Sequence, residues 1–468
     1  MTYDESVRYL LTLGSELASP RHAKAAKFDL RNITVLAERL GDPQRAYPSV
    51  HIAGTNGKGS TAAMLESILR AAGYRTGLYT SPHLERINER IRIDCVEIPD
   101  DDFAAAFSRL QALIEEMLAS GPEASGLPAH PTFFECLTAM AFDCFARSRA
   151  GFAVFEVGMG GRLDSTNIVT PEVAVITQID FDHENFLGHS IQEIAGEKAG
   201  IIKPGAWVVS AAERPEARAV IARRAAEQNA RLVEVDSAYR IEDCDSSTAG
   251  NCAVAVETGT GWRTDLAIPL AGRFQVRNAL AAVAAARLLA ERGFRVDDVA
   301  IARGIAAVRW PGRLEFLQAS PDVYLDGTHN PAGARELLSF WQQHFAGRRI
   351  HLVYGAVRDK AVDEIAGLLF PHVADVILTE PRTSRAISAA TLAQVTAHLA
   401  ARAEVVANPV EALDRAIAQA APGDVVFATG SLYLAGDLRR AWSARSQTPQ
   451  PVQSATQANA AEAGLPRP

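Results

Sequence analysis

The sequence predicts an α/β protein of two domains, each centred on a mostly parallel sheet. Two observations carry that expectation. Short, near-continuous apolar runs alternate with helix-period segments along most of the chain, the pattern of strands covered on both faces by helices. That alternation occurs twice, from about residue 50 to 185 and again from 323 onward, with a turn-like "RWPGR" at 309–313 before the second run. Length agrees, because 468 residues exceed what one ordinary core holds.

Taken in order, "SVHIAG" (49–54) reads as a strand, and "GSTAAMLESILRAAG" as a helix with Met64, Leu65, Ile68 and Leu69 on one face. "FAVFEVG" (152–158) and "VAVITQI" (173–179) have the length and composition of buried parallel strands. A helix over 278–293 follows, then the hinge. The second alternation contains "VYLDG" at 323, "IHLVYG" at 350, "DVILTE" at 375, "AEVVA" at 403 and "DVVFATG" at 424. Helical segments such as "AGARELLSFWQQHF" separate these strands, as in a Rossmann-like sheet. The expected domains are 1–309 and 310–445, followed by a low-complexity tail, 446–468, expected to be disordered.

Composition narrows the class. Hydrophobic residues make up 48% and charged residues 22%, as in a soluble globular enzyme. A net charge of −8 argues against a protein that coats nucleic acid or anionic lipid. The five cysteines form no CxxC pair, which fits reduced thiols in a cytoplasm and gives no metal signature. The N-terminus lacks the basic region of a signal peptide, and no apolar run is long enough to span a membrane. The expectation is a cytoplasmic monomer whose partners are small molecules.

The stretch "HIAGTNGKGST" (51–61) joins the first strand to the first helix. Gly54 and Gly57 let the backbone approach a ligand closely, and the helix start offers free N–H groups to phosphate. Lys58 would reach the β- and γ-phosphates, and Ser60 or Thr61 would cap the helix or reach a metal. The loop is shorter than the common phosphate-binding loop, and Gly59 intrudes after Lys58. Residues Gly54, Thr55, Asn56, Gly57, Lys58, Gly59 and Ser60 are therefore the expected nucleoside triphosphate seat, making the first domain a P-loop ATPase unit.

Further candidates lie just beyond strand ends, where doubly wound sheets keep their active sites. Ser81 follows a short strand, Glu156 ends "FAVFEVG", and His183 follows "VAVITQIDFD". A hydroxyl, a carboxylate and an imidazole there could converge on one divalent cation; Mg²⁺ prefers oxygen donors, so a His ligand is unusual for it, whereas Mn²⁺ would accept the same set. Taken alone, His183 reads more readily as an ordinary loop histidine. Glu156 is harder to dismiss, since an unpaired carboxylate at the end of an apolar strand is costly.

At this point the chain resembles a known family. "HIAGTNGKGST", "YTSPHLERINERIRI", "FEVGMGGRLDSTN", "DHENFLGHSIQEIAGEKAGIIK", "PGRLEF" and "LDGTHNPAG" are similar to segments of folylpolyglutamate synthases and bifunctional dihydrofolate synthases of the Mur ligase superfamily. The likeness runs collinearly from about residue 26 to 437. It implies that ATP phosphorylates a substrate carboxylate, after which the amine of L-glutamate displaces phosphate. It also implies one or two Mg²⁺ ions and a carbamylated Lys198 in "EKAGI". Asn278, Arg313 and Asp326 would hold the far end of ATP, and Ser431 would lie where glutamate binds. His329 could face the same cleft as a catalytic residue beside Lys58 and Lys198, or serve as a cap or core residue.

The resemblance further matches Asp29 and Leu30, Thr132, Phe133, Phe134 and Glu135, and Leu163, Asp164 and Ser165 to the dihydropteroate-binding segments of bifunctional members. Phe133 and Phe134 offer flat apolar surface to an aromatic ring, or read as ordinary helix core. Asp164 is the expected acceptor for pterin N–H groups. The expected substrates are dihydropteroate, reduced folates and L-glutamate. One rival is a UDP-dependent Mur ligase, for which the 53 residues before Gly54 leave little room. Others are an enzyme that only extends polyglutamate tails, and a nucleotide-driven switch protein, which would not need Lys198.

Overall fold

The computed structural model describes residues 1–13, 29–127, 129–399 and 403–447. The expected tail from residue 448 onward lies outside the described residues, as do residues 26–28 at the start of the family likeness.

The first sheet has eight strands: β1 (Ser49–Ala53), β2 (Thr76–Tyr79), β3 (Ile91–Ile93), β4 (Val96–Glu97), β5 (Phe152–Glu156), β6 (Val173–Ile176), β7 (Trp207–Ser210) and β8 (Arg231–Glu234). Their order is β4-β3-β2-β5-β1-β6-β7-β8. From β2 to β8 every pairing is parallel, and β3 and β4 form an antiparallel edge. The central strands β1, β5 and β6 are buried throughout, as continuous apolar runs require. One face is covered by helices Lys58–Ala71, Phe274–Glu291 and Asp298–Ala307, which share a core with Val50, Ile52, Val154 and Val175. On the other face, helices Asp100–Ala119 and Phe133–Arg147 enclose Phe155, Phe142 and Phe145.

A three-stranded antiparallel sheet follows, with β9 (Tyr239–Ser247), β10 (Gly250–Glu257) and β11 (Arg263–Ile268). It buries Ala253, Ala255, Leu266 and Ile268 on the helix-covered side and leaves alternate residues to solvent. The sequence reading passed over it, because its strands alternate in polarity and carry no long apolar run.

The second domain is a six-stranded sheet: β12 (Glu315–Gln318), β13 (Asp322–Leu325), β14 (Ile350–Tyr354), β15 (Asp375–Leu378), β16 (Ala403–Val405) and β17 (Val425–Thr429). The order is β12-β13-β17-β14-β15-β16, parallel except for the β12 edge. Helices Pro331–His344 and Val362–Leu369 pack on one face, and Pro409–Gln419 and Leu432–Gln447 on the other. The last helix thus runs two residues past the expected boundary at 445. No described helix is long and apolar enough to cross a membrane.

Candidate active site

Both sheets point the C-terminal ends of their parallel strands at one cavity of about 380 Å³. Its lining includes the whole loop Gly54–Ser60, Ser81, Glu156, His183 and Lys198 from the first domain. Asn278 of the helix Phe274–Glu291, Arg313 of the linker, and Asp326 and His329 of the second domain complete the wall. The nucleotide and metal residues expected from sequence are therefore brought together.

The loop between β1 and its helix is shaped by glycine. Gly57 has φ +86, and a Cβ there would meet the Asn278 side-chain oxygen at 2.2 Å. Asn278 is itself held by Gln275, which also reaches the Ser60 hydroxyl at 3.4 Å. Lys58 opens the helix and folds its ammonium back onto the Gly54 and Thr55 carbonyls, each at 3.1 Å. Lys198, in helix Ile191–Ala199, donates to the same Gly54 carbonyl at 2.8 Å. Burial first, and then the neighbouring Lys58 charge, bring Lys198 down to about 7. Burial likewise lowers Lys58, although Glu156 and Asp182 oppose it.

Glu156 ends β5, is 5% exposed and accepts the Ser81 N–H at 3.1 Å. Burial raises its pKa, against the pull of Lys58. The Ser81 hydroxyl and the His183 Nδ1 are both buried without a hydrogen-bond partner among the described residues. Burial, followed by repulsion from Lys360, lowers His183 to about 3, so its ring is neutral as a metal ligand requires. Among the described residues no cluster of three or more His, Cys, Asp or Glu side chains could hold a metal alone. The Ser81 and Glu156 oxygens fit a cation such as Mg²⁺ that takes its remaining oxygens from phosphate and water, and the His183 nitrogen is the unusual member of the set.

Burial lowers the Arg313 pKa, and the attraction of two carboxylates, Asp326 and Glu156, offsets that only in part. Asp326 follows β13, is 3% exposed and accepts the N–H groups of Leu314 and Thr328 at 3.0 and 2.9 Å. Thus Asp326 fixes the linker that carries Arg313. The His329 Nδ1 lies 2.8 Å from the Gly327 carbonyl, and burial holds the ring neutral, near 4.

The pteroate segments meet at another corner. The helix Arg31–Arg39, preceded by Asp29 and Leu30, packs against both the Phe133–Arg147 helix and the turn Ser165–Ile168. Thr132 and Glu135 form a capping box, and Asn32 reaches Glu135 at 3.4 Å. Phe133 is core beneath the Arg90 guanidinium, whereas Phe134 is half-buried against Gly158. Leu163 and Ser165 are half-buried, and Asp29 pairs with Arg31. Asp164, the expected pterin acceptor, is engaged within its own loop. It is 6% exposed and turned inward, accepting from Met159 N at 2.9 Å and from Thr166 N and Oγ1 at 3.0 and 2.5 Å. Those donors make it the group that holds the Gly158–Asp164 loop. Ser431 is buried, caps the start of the last helix by accepting the Tyr433 N–H, and does not line the cavity.

The sequence reading missed the contacts between domains. Asn56 and Asn330 pair through both amides at 3.1 and 2.8 Å. Lys360, just beyond β14, reaches Asp182 at 2.7 Å and the His183 Nε2 at 3.4 Å. Burial pushes the Asp182 carboxyl upward, but Lys360, His183 and His329 together hold it well below the usual range. Asp180 bridges Arg214 at 2.8 Å and Arg335, from the second domain, at 3.0 Å. Placement beyond the end of a parallel strand was the signal available for Lys360.

Comparison with known proteins agrees with this geometry. Residues 52–286 match the Mur ligase middle domain, and 312–432 match the Mur ligase glutamate ligase domain. A Bacillus subtilis dihydrofolate synthase/folylpolyglutamate synthase is 35% identical over 410 residues, covering 86% of this chain and 93% of its own. A Lacticaseibacillus casei folylpolyglutamate synthase is 35% identical, covering 94% of this chain and 98% of its own. The solved structure of E. coli FolC in complex with DHPP and ADP superposes with a TM-score of 0.82 at 30% identity, covering 96% of this chain and 99% of that one. The chain belongs to the Mur ligase family of ATP-dependent ligases, among its dihydrofolate synthase/folylpolyglutamate synthases.

Proposed function

We propose that the protein adds L-glutamate to dihydropteroate, giving dihydrofolate, and to reduced folates, giving polyglutamates. A substrate carboxylate oxygen attacks the γ-phosphorus of ATP, and ADP leaves. The glutamate nitrogen then attacks the acyl carbon, loses a proton, and phosphate departs as the amide forms. The observation that carries this reading is the convergence of Lys58, Lys198, Glu156, Ser81 and Arg313 on one cleft closed by both domains. Bringing two anions together requires preorganised positive charge, and such a cleft supplies it away from bulk water.

Each residue has a task. Gly54–Ser60 and Lys58 would seat the phosphates, while Asn278, Arg313 and Asp326 hold the rest of the nucleotide. His329, neutral and anchored to Gly327, would face the same cleft as a polar wall. Ser81, Glu156 and His183 would hold Mg²⁺, which when bound offsets phosphate charge. We assign Lys198 as the carbamylated lysine, since a buried amine brought to about 7 is substantially neutral and able to take up CO₂. Asp29, Leu30, Thr132–Glu135 and Leu163–Ser165 would frame the pteroate end, with Phe134 the half-buried ring. Ser431 would act only by fixing the turn before the last helix, beside which glutamate would bind. A cytoplasmic monomer suits these small substrates.

The second reading, tail extension alone, is favoured by the polyglutamylating L. casei relative. One assay separates the two. Purified protein with ATP, Mg²⁺ and L-glutamate is offered dihydropteroate or tetrahydrofolate in parallel. Turnover of both is expected. Use of tetrahydrofolate alone would establish the second reading.

A further inference from the structure

We propose that Trp310 is a positioning residue that ties the phosphate seat to the linker delivering Arg313. The inference rests on the nucleotide reading of the loop Gly54–Ser60. Its starting point is the glycine that intrudes after Lys58. Gly59 has no left-handed backbone, so an alanine there would be conformationally ordinary. What a side chain there would press on is the indole: a Cβ on Gly59 would lie 3.0, 3.2 and 3.3 Å from Trp310 Cζ2, Nε1 and Cε2, so the ring would have to give by a few tenths of an ångström. The ring therefore rests directly on the first turn of the phosphate-binding helix.

The ring is held by a second residue too. The Arg92 guanidinium sits 5.1 Å from the Trp310 ring centroid, within cation–π range. Arg92 is 9% exposed, and its Nε has no hydrogen-bond partner among the described residues. It lies on β3, the strand reached by the loop that carries Ser81. Trp310 thus joins the phosphate loop to the hairpin beyond Ser81.

Three residues later the chain places Arg313 opposite Asp326 and Glu156. The intervening turn is stiff. Gly312 donates its N–H to Glu315 at 2.8 Å, and its carbonyl accepts from Gly327 at 3.0 Å. A displaced indole would therefore shift Arg313 rather than be absorbed between them. Glu156 ends β5 and accepts the Ser81 N–H, and Lys198 lies in the last turn of its helix and donates to the Gly54 carbonyl, so neither is placed by Trp310.

The consequence is a split in kinetics. Trp310→Leu should raise KM for ATP by about tenfold while kcat stays within about threefold. Gly59→Ala should lower kcat/KM for ATP about tenfold in the native background, because overpacking moves the ring. In the Trp310→Leu background the same methyl meets open space, so the double variant should be no worse than Trp310→Leu alone. Trp310→Phe, which keeps a flat ring for Arg92, should fall between Leu and wild type. The measurement is ATP kinetics on the four corners of this cycle, using variants whose thermal midpoint confirms folding. Losses that multiply, or a Trp310→Leu variant with native KM, would overturn the proposal. If Trp310→Leu does not fold, Trp310→Phe takes its place in the cycle, and Gly59→Ala should then cost less than it does in the native background. A wild type without ATP-dependent turnover would instead remove the nucleotide reading itself.

Discussion

Lys58 and Lys198 share one acceptor: both ammonium nitrogens donate to the Gly54 carbonyl oxygen, at 3.1 and 2.8 Å. Two lysines in different helices thus crowd one point of the phosphate loop, and the Lys58 charge disfavours that of Lys198. Burial first, and this repulsion second, bring Lys198 to about 7.

The first prediction concerns that lysine. Only the neutral amine takes up CO₂, so the carbamate should form as pH rises through about 7 and be lost below it. Removing CO₂ near pH 7 should lower activity, and bicarbonate should restore it, more fully at higher pH. Intact-protein mass spectrometry should find a CO₂ increment that disappears in acid. Activity indifferent to bicarbonate, with no such increment, would leave Lys198 a plain cation.

Glu156→Gln keeps an acceptor for the Ser81 N–H and removes the charge. Turnover should fall on the order of a hundredfold or more, with the thermal midpoint little changed. Steady-state kinetics over a range of Mg²⁺ concentrations checks this. Native activity at ordinary Mg²⁺ would remove Glu156 from the metal set.

Removal of the Lys360 charge leaves Asp182 buried between domains with weaker partners. Breaking a buried pair costs about 3–5 kcal/mol when nothing relieves it. Here domain opening brings water to Asp182, so Lys360→Met should open the cleft rather than unfold either domain. Small-angle scattering should show a larger radius of gyration, and turnover should fall more than a hundredfold. An unchanged radius with normal turnover would mean that the pair holds nothing closed.

Asp164→Ala tests what the inward-turned carboxylate does. The sequence suggested a pterin contact, hence a loss confined to dihydropteroate. The structure gives it Met159 and Thr166 as partners, so the loop bearing Gly158–Gly160 should loosen for both substrates. Leaving those donors unpaired costs on the order of 1–3 kcal/mol of stability. Comparable losses in kcat/KM for dihydropteroate and tetrahydrofolate are expected. A selective loss would return Asp164 to the pterin.

Much of this was legible because local chemistry specified it. "FAVFEVG" and "VAVITQI" could only be buried strands, and both became central parallel ones. The phosphate loop was readable from Gly54, Gly57 and Lys58, since backbone approach and charge are local properties. The β9–β11 sheet was not, because amphipathic strands of ordinary composition give a weak signal. Contacts such as Asn56 with Asn330 join residues 274 positions apart, and no periodicity announces them. The direction in which Asp164 points was equally hidden. A motif names a residue, while its hydrogen-bond partners are set by how the loop closes.

The central claim is an acyl phosphate formed on the substrate carboxylate within this cleft. Its most direct test uses dihydropteroate carrying ¹⁸O in the carboxylate, with ATP, Mg²⁺ and L-glutamate. The phosphate released should contain one ¹⁸O for each dihydrofolate formed, because the attacking oxygen leaves with phosphorus. Dihydrofolate formed with unlabelled phosphate would contradict the account.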